Sequence, residues 1–188
     1  MSVFLKNILE HNALTATLQS LDGDVLRAGQ LAAQVLKQGG KILFCGNGGS
    51  AADSQHLSAE LTGRFIKDRR PLAAMALSTD SSALTCISND YSFDEVFARQ
   101  VIGLGRAGDL LIGISTSGNS RNVVRAIEEA NKLDIYTLGL LGRDGGQLAK
   151  LCSHSIVVSH SVTARIQECH LLIGHTLCNL IEEQLGLV

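Results

Sequence analysis

The amino-acid sequence predicts an α/β fold in which helices cover both faces of a parallel sheet. Two observations carry this prediction: strands and helices alternate at least four times, and the strands are nearly continuous apolar runs. Ligands bind such sheets at the carboxyl ends of the strands, so the turns there are the first candidates for a site. With 188 residues and 45% hydrophobic content, the chain suits a single domain, 1–188.

Two helices are predicted before the first strand. Apolar residues recur at helical spacing over 2–20, and a second helix over 24–38 ends at Gly39 and Gly40. Residues 1–40 thus form an N-terminal helical pair, and 41–188 form the parallel core. The sheet does not require this pair, and only 18% of the residues are charged. We therefore expect the pair to pack across a subunit partner as well as on its own domain.

The segment Lys41–Phe65 organises the rest of the chain, because it combines a strand, a glycine turn and a functionalised helix. An apolar strand over 41–45 leads into glycines that let the backbone approach a ligand closely. Ser50 and Asp53 have the spacing of a capping box at the start of the helix. His56 and Glu60 are four residues apart, so both side chains leave one face of this helix and lean back toward the turn.

The remaining elements follow the same alternation. A strand over 72–77 is introduced by Pro71, and a helical stretch after residue 80 is interrupted at Asn89 and Asp90. A helix over 92–104 has Ser92 as its cap and Glu95 at the box position. The further elements are strands over 109–114, 135–141 and 155–158 and helices over 120–132 and 162–185.

The turn from Gly46 to Ala51 has the spacing G-x-G-x-x-A of a dinucleotide fingerprint. That fingerprint requires an acidic residue at the end of the next strand, about 20 positions later, where the segment from Lys67 to Arg70 is basic overall instead. A nicotinamide enzyme is therefore disfavoured, and a plain tight turn remains an alternative.

The turn after the third strand is the stronger ligand signal. Ser115, Thr116, Ser117 and Ser120 place hydroxyl groups, together with Gly118, between a strand and a helix start. Hydroxyl and backbone N–H donors can converge there on a phosphate monoester, and no lysine follows to make it a P-loop. The alternative is a Ser/Thr-rich turn with a helix cap.

His56 and Glu60 fit zinc ligands, an acid–base pair or an ordinary exposed helix pair, and their spacing alone does not choose. The last helix adds Gln167, His170 and His175. Gln167 and His175 are about 80° apart around this helix, whereas the two histidines are about 140° apart and cannot easily share one site. Periodicity does not say which histidine matters.

The formal net charge of −2, without a long basic run, gives no sign of a nucleic-acid-binding face. No apolar run approaches the roughly 20 residues that span a bilayer, and the N-terminus lacks a signal-peptide layout, so we expect no membrane partner and a cytoplasmic location. The five cysteines contain no C-x-x-C pair and are interpreted as reduced thiols, several of them buried.

Together, five segments resemble the phosphoheptose isomerases of the sugar isomerase (SIS) domain family: CGNGGSAADSQH, HLSAELTGRF, ISNDYSF, GISTSGNS and TARIQECHLLIGHTLC. The resemblance covers essentially the whole chain. It implies a three-layer flavodoxin-like parallel sheet and a homotetramer with active sites at subunit interfaces. The implied reaction converts sedoheptulose 7-phosphate to D-glycero-D-manno-heptose 7-phosphate through an enediol, for lipopolysaccharide or another surface polysaccharide.

The resemblance also implies roles for individual residues. Glu60 and His175 would be the catalytic pair, and one Zn²⁺ per subunit would be held by His56, Glu60, Gln167 and His175. The phosphorylated seven-carbon sugar would contact Asn47, Gly48, Gly49, Glu60, Asn89, Asp90, Ser115, Thr116, Ser117, Ser120 and Gln167. Whether Glu60 is a metal ligand, a base or both stays open. The alternative is a non-catalytic SIS protein that binds sugar phosphates or a replication initiator; the similar scaffold proteins lack a glutamate at the position of Glu60.

Overall fold

The computed structural model describes all residues, 1–188, and is built on a five-stranded parallel sheet with the strand order β2-β1-β3-β4-β5. The strands are β1 (Ile42–Gly46), β2 (Ala74–Ala76), β3 (Leu110–Ser115), β4 (Tyr136–Gly142) and β5 (His154–Val158). This is the flavodoxin-like order, in which the chain reverses direction across the sheet between β1 and β3. The predicted fold class is confirmed.

Helices cover both faces of the sheet. They are α1 (Val3–Thr17), α2 (Asp22–Lys37), α3 (Gly49–Thr62), α4 (Ser81–Asp90), α5 (Ala98–Leu104), α6 (Arg121–Lys132), α7 (Leu148–Leu151) and α8 (Thr163–Gln184). Strand β1 shows why the apolar runs are continuous. Ile42 and Phe44 belong to the core under α2, α3 and α8, while Leu43 and Cys45 belong to the core under α5 and α6.

The predicted capping box at the start of α3 is wrong. The helix begins at Gly49, and Gly48 precedes it with φ +56°, a left-handed conformation that glycine adopts without strain. Ser50 is buried in the first turn, and no side chain caps the helix. Backbone geometry at the glycines, rather than side-chain capping, therefore starts α3.

The predicted single helix over 92–104 is also wrong. A 3₁₀ turn at Phe93–Glu95 precedes α5, and Ser92 makes no capping hydrogen bond. The carboxylate of Glu95 instead accepts from Arg125 on α6, with 2.8 Å between Oε1 and Nε. Because the Glu95 carboxylate is engaged in this ion pair with another helix, it does not accept the backbone N–H that a capping box requires.

Two smaller boundaries differ from the prediction. Asn89 and Asp90 do not interrupt a helix but are the last residues of α4, and the break falls at Tyr91. Strand β2 is limited to the three residues that pair with β1, so it does not begin beside Pro71. Before the strand, the backbone N–H of Leu72 donates to the carbonyl oxygen of Leu61 on α3 at 3.0 Å rather than to β1.

The N-terminal helices differ in how they are buried. Helix α2 contributes six buried residues and packs against α8, whereas α1 has Leu14 as its one buried residue. Large apolar side chains on α1 are exposed, among them Val3, Phe4 and Leu9. None of the helices combines the length and the apolar character needed to cross a bilayer.

All five cysteines are free thiols. Cys45, Cys169 and Cys178 are buried, as predicted for cysteines within apolar runs. Burial, aided by the charges of Glu60 and Glu182, raises the pKa of Cys178 to about 12. These buried thiols stay protonated and act as small apolar side chains.

Candidate active site

The glycine turn after β1 forms one end of the site. Gly48 is exposed and has a positive φ, and Gly49 lies against the amide of Gln167 from α8. A Cβ at position 49 would be 2.5 Å from Nε2 of Gln167, so a larger residue there would displace this amide. The structure therefore brings Asn47, Gly48, Gly49 and Gln167 together.

The hydroxyl-rich turn after β3 lies on the neighbouring strand. The hydroxyls of Ser115 and Ser120 are 2.9 Å apart, and Oγ of Ser117 accepts from the backbone N–H of Asn119 at 3.1 Å. Ser120 immediately precedes α6, whose first N–H groups carry the positive end of the helix dipole. Hydroxyls and free amides at one helix N-terminus make an anion-binding arrangement.

Gly118 fixes the shape of this turn. Its φ is +66°, and a Cβ there would lie 2.0 Å from the carbonyl oxygen of Gly145 in the turn after β4. The backbone N–H of Leu148 also donates to the carbonyl of Gly118 at 3.0 Å. The turns after β3 and β4 are thus packed backbone against backbone.

The glycine turn and the hydroxyl-rich turn are joined by a pair of asparagines. Asn47 Nδ2 donates to Asn122 Oδ1 at 2.8 Å, and Asn122 Nδ2 donates to Asn47 Oδ1 at 2.9 Å. Asn122 is buried in the first turn of α6. Asn122 is not among the site residues predicted from the sequence. The only local sign of it is that a polar side chain stands two residues after Ser120, at the start of the helix that follows the hydroxyl-rich turn.

His56, Glu60 and His175 converge where α3 and α8 run side by side. The two histidine Nε2 atoms are 2.8 Å apart, and Nε2 of His56 is 3.5 Å from Oε1 of Glu60. The helices approach closely because residue 174 is glycine, where a Cβ would lie 2.6 Å from Leu57 Cδ1. The structure thus brings His175, rather than His170, to the His56 and Glu60 pair.

His170 points elsewhere on α8. It is buried, and its Nε2 is 3.0 Å from the carbonyl oxygen of Leu141 at the end of β4. Burial lowers its pKa, with a partial offset from this carbonyl. His170 is therefore a neutral side chain that connects α8 to the sheet, as the 140° separation from His175 allows.

The three converging side chains suit a divalent metal. Their ligand atoms all lie within 4.8 Å of one another and comprise two imidazole nitrogens and one carboxylate oxygen. This donor set is one that catalytic zinc sites use, with a further position left for substrate. Gln167 is eight residues before His175, which is about 12 Å along the helix, and lies at the glycine turn instead.

Asp53 is an acidic residue that sequence reasoning assigned to a cap. One of its carboxylate oxygens is buried without a hydrogen-bond partner. Burial raises its pKa, while the nearby His56 and His175 act in the opposite direction. The signal available in the sequence was its position three residues before His56, on the same face of α3.

Asn89 and Asp90 lie at the exposed end of α4. Their hydrogen bonds run within the helix: Asn89 Nδ2 donates to Asp90 Oδ1 at 2.8 Å, and Cys86 Sγ is 3.4 Å from Asp90 Oδ2. The Asn89 amide and then the Cys86 thiol lower the pKa of Asp90. Within the single chain, these two residues are not hydrogen-bonded to the other candidate site residues.

The fold, with a hydroxyl-rich turn and a glycine turn at the ends of adjacent parallel strands, defines the class of the protein. The family described as the SIS domain matches residues 7–142. The phosphoheptose isomerase of Campylobacter jejuni is 55% identical over 174 residues, which cover 93% of this chain and 94% of that protein. The chain belongs to the phosphoheptose isomerases of the SIS domain family.

Solved structures agree with this assignment. The phosphoheptose isomerase from Neisseria gonorrhoeae superimposes with a TM-score of 0.91 at 47% identity, covering 96% of this chain and 97% of that one. The phosphoheptose isomerase from Francisella tularensis gives a TM-score of 0.89 at 35% identity, covering 97% and 100%. Both the sheet and the helices around it are therefore shared with these proteins.

Proposed function

We propose that this protein is an aldose–ketose isomerase that converts sedoheptulose 7-phosphate to D-glycero-D-manno-heptose 7-phosphate. The observation that carries the proposal is the convergence of His56 and Glu60, on the helix that follows the glycine turn, with His175 on α8. The names of the relatives point to the same substrate class, a phosphorylated heptose.

The substrate is proposed to lie across the two turns. Its phosphate is held by Ser115, Thr116, Ser117 and Ser120, whose hydroxyls supply donors in the absence of a P-loop lysine. Its carbon chain is held at Asn47, Gly48 and Gly49, with the amide of Gln167 beside Gly49. Asn89 and Asp90 are proposed to contact the sugar from α4.

The isomerisation moves a proton between neighbouring carbons through an enediol. Glu60 is proposed to be the base that removes the carbon-bound proton, because its side chain is only 23% exposed yet reaches the cleft between α3 and α8. His175 then exchanges protons with the substrate oxygens. Ligand atoms of Glu60 and His175 lie within 4.8 Å of each other, so a substrate carbon placed beside one group also meets the other.

A zinc ion is proposed to be held by His56, Glu60, Gln167 and His175, one ion per subunit. Bound zinc would polarise the substrate carbonyl and stabilise negative charge on its oxygen. The two imidazoles and the carboxylate already face one another, which supports three of these four ligands. The amide of Gln167 lies beside Gly49 at the glycine turn, so its part in the ligand set rests on the family resemblance. A carboxylate that binds the metal is a weaker base. The experiments below therefore have to separate the role of Glu60 as a metal ligand from its role as a base.

The first experiment compares the wild-type protein with Glu60→Gln in D₂O. The wild type should convert sedoheptulose 7-phosphate with deuterium incorporated at the product carbon, and Glu60→Gln should lose at least about 100-fold in kcat while still binding substrate. Glu183→Gln, at an exposed carboxylate on α8, is the matched control and should retain full activity. A wild type that binds the sugar phosphate without turnover would favour the non-catalytic alternative.

Metal analysis is the second test. We expect about one zinc per chain in the wild type and a marked loss in His175→Ala, because removing one imidazole leaves an incomplete ligand set. A chelator should abolish activity, and added zinc should restore it. Full activity of thoroughly chelated protein would overturn the zinc assignment. A Glu60→Gln variant that keeps its zinc but loses turnover would identify Glu60 as the base.

We further propose that the chain acts in the cytoplasm as a single domain within a homotetramer whose sites lie at subunit interfaces. The exposed apolar side chains of α1 support the burial of this helix between subunits. The product would enter heptose synthesis for lipopolysaccharide or another surface polysaccharide. Sedimentation analysis tests the assembly, and a mass equal to one chain would exclude it.

A further inference from the structure

We infer that Asn122 is a positioning residue that holds Asn47, and through it the glycine turn, in place for the substrate. The inference rests on the proposed function and adds a residue to it. Asn122 lies outside the hydroxyl-rich turn, and its side chain points at Asn47 rather than at the Ser115–Ser120 hydroxyls.

The two amides form a closed, reciprocal pair. Each side chain donates one N–H and accepts one, at 2.8 and 2.9 Å, so two hydrogen bonds close a single ring between residues 75 positions apart. Flipping both amides together gives the same pattern, so the pair does not depend on which atom is nitrogen and which is oxygen. Such a ring fixes both side-chain torsions at once.

Counting donors and acceptors shows what the pair leaves free. A carboxamide has two N–H donors and an oxygen with two lone pairs, and the ring uses one of each. Asn122 is 2% exposed, so its remaining groups face the protein interior. Asn47 is half-buried and keeps one N–H and one lone pair that can reach a sugar hydroxyl in a fixed direction.

The pair also ties together the two halves of the proposed substrate site. Asn47 follows β1, whereas Asn122 is the second residue of α6, directly after the turn that follows β3. A sugar phosphate must be held at its phosphate and at its carbon chain with a constant spacing between them. Misplacement of about 1 Å is enough to cost about 100-fold in rate. The asparagine pair directly links the glycine turn after β1 to the start of α6, beside the hydroxyl-rich turn.

A double-mutant cycle with Asn47→Ala, Asn122→Ala and the double variant tests the inference. Each single change should lower kcat/KM for sedoheptulose 7-phosphate by about tenfold or more, since each breaks both hydrogen bonds. If Asn122 acts through Asn47, the double variant should be no worse than about twofold below Asn47→Ala. The dissociation constant for the sugar phosphate should follow the same pattern.

Inorganic phosphate separates positioning from general damage. Its inhibition constant should stay within about twofold of wild type in Asn122→Ala, because the backbone donors and hydroxyls of the Ser115–Ser120 turn are unchanged. The matched control is Asn131→Ala, on the same helix. The Asn131 side chain donates to the carbonyl oxygen of Leu151 and accepts from the hydroxyl of Thr137, so the change removes two structural hydrogen bonds. It should lower the melting temperature without changing KM.

Three outcomes would overturn the inference: wild-type kinetics in Asn122→Ala, losses that multiply in the double variant, or a phosphate inhibition constant that rises in parallel with KM. Its failure can be distinguished from failure of the proposed function. A wild type that binds sedoheptulose 7-phosphate without converting it removes the isomerase assignment, while the cycle is still decided by the dissociation constants. A wild type that neither binds nor converts this sugar phosphate overturns both.

Discussion

Replacing Glu182 with alanine should be among the most damaging changes outside the site, because this carboxylate is fully buried and satisfied. It accepts from Arg69 Nε at 2.8 Å and from the backbone N–H groups of Phe65 and Ile66 at 3.1 and 3.3 Å. The side chain of Arg69 is itself 2% exposed and also donates to the carbonyl oxygen of Glu60 at 2.7 Å. The pair therefore anchors the end of α3, the helix that carries Glu60.

The magnitude follows from what the alanine leaves behind. Without Glu182, the Arg69 guanidinium stays buried without a counter-ion, which costs about 3–5 kcal/mol in comparable cases. In a chain of this size each kcal/mol lowers the melting temperature by about 2–4 °C, so we expect a decrease of about 10 °C. Turnover should also fall, because Arg69 holds the carbonyl of Glu60.

Thermal and urea unfolding at one fixed protein concentration would measure this decrease. The concentration is held constant because assembly contributes to apparent stability. Glu183→Ala, at the exposed neighbouring position on α8, is the control and should change the free energy of unfolding by no more than about 0.5 kcal/mol. If Glu182→Ala melts within about 2 °C of wild type, the buried pair does not stabilise the fold as argued.

Two further predictions concern the turns and the sheet. Gly118→Ala should destabilise the protein by several °C and weaken phosphate inhibition, because its Cβ would meet Gly145, whereas Gly103→Ala in α5 has open space and should be neutral or stabilising. His170→Gln should flatten the pH dependence of the free energy of unfolding below about pH 6.5. Burial lowers the pKa of this histidine in the folded state. Its contribution to the free energy of unfolding is therefore fully present above the unfolded-state pKa of about 6.5 and is lost as the pH falls through the folded-state pKa. A His170→Gln variant whose free energy of unfolding changes with pH as steeply as that of the wild type would contradict this prediction.

Much of the fold could be read from the sequence because both faces of the sheet are buried. Continuous apolar runs such as Ile42–Cys45 fix the strands, and the glycines and hydroxyls after them fix the ligand turns. Helix starts are harder to predict. Glu95 stands at a suitable position for a capping box, but its carboxylate accepts from Arg125 on another helix instead. A local pattern cannot show that competition.

The candidate site could be predicted from the sequence only in part. Helical periodicity separated His170 from His175, but choosing between them needs the position of α3 beside α8, which depends on Gly174 and Leu57. The partner of Asn47 is 75 residues away and has no motif of its own. Such long-range contacts are set by strand order and helix packing rather than by local propensity.

The separation of 119 positions between His56 and His175 has a consequence for how the protein matures. The glycine turn and its helix leave the ribosome early, yet the third converging side chain belongs to α8, the last helix of the chain. Contacts between segments so far apart form late, after the intervening strands have paired. The proposed metal site therefore belongs to the completed chain alone, because a product truncated before α8 would lack His175.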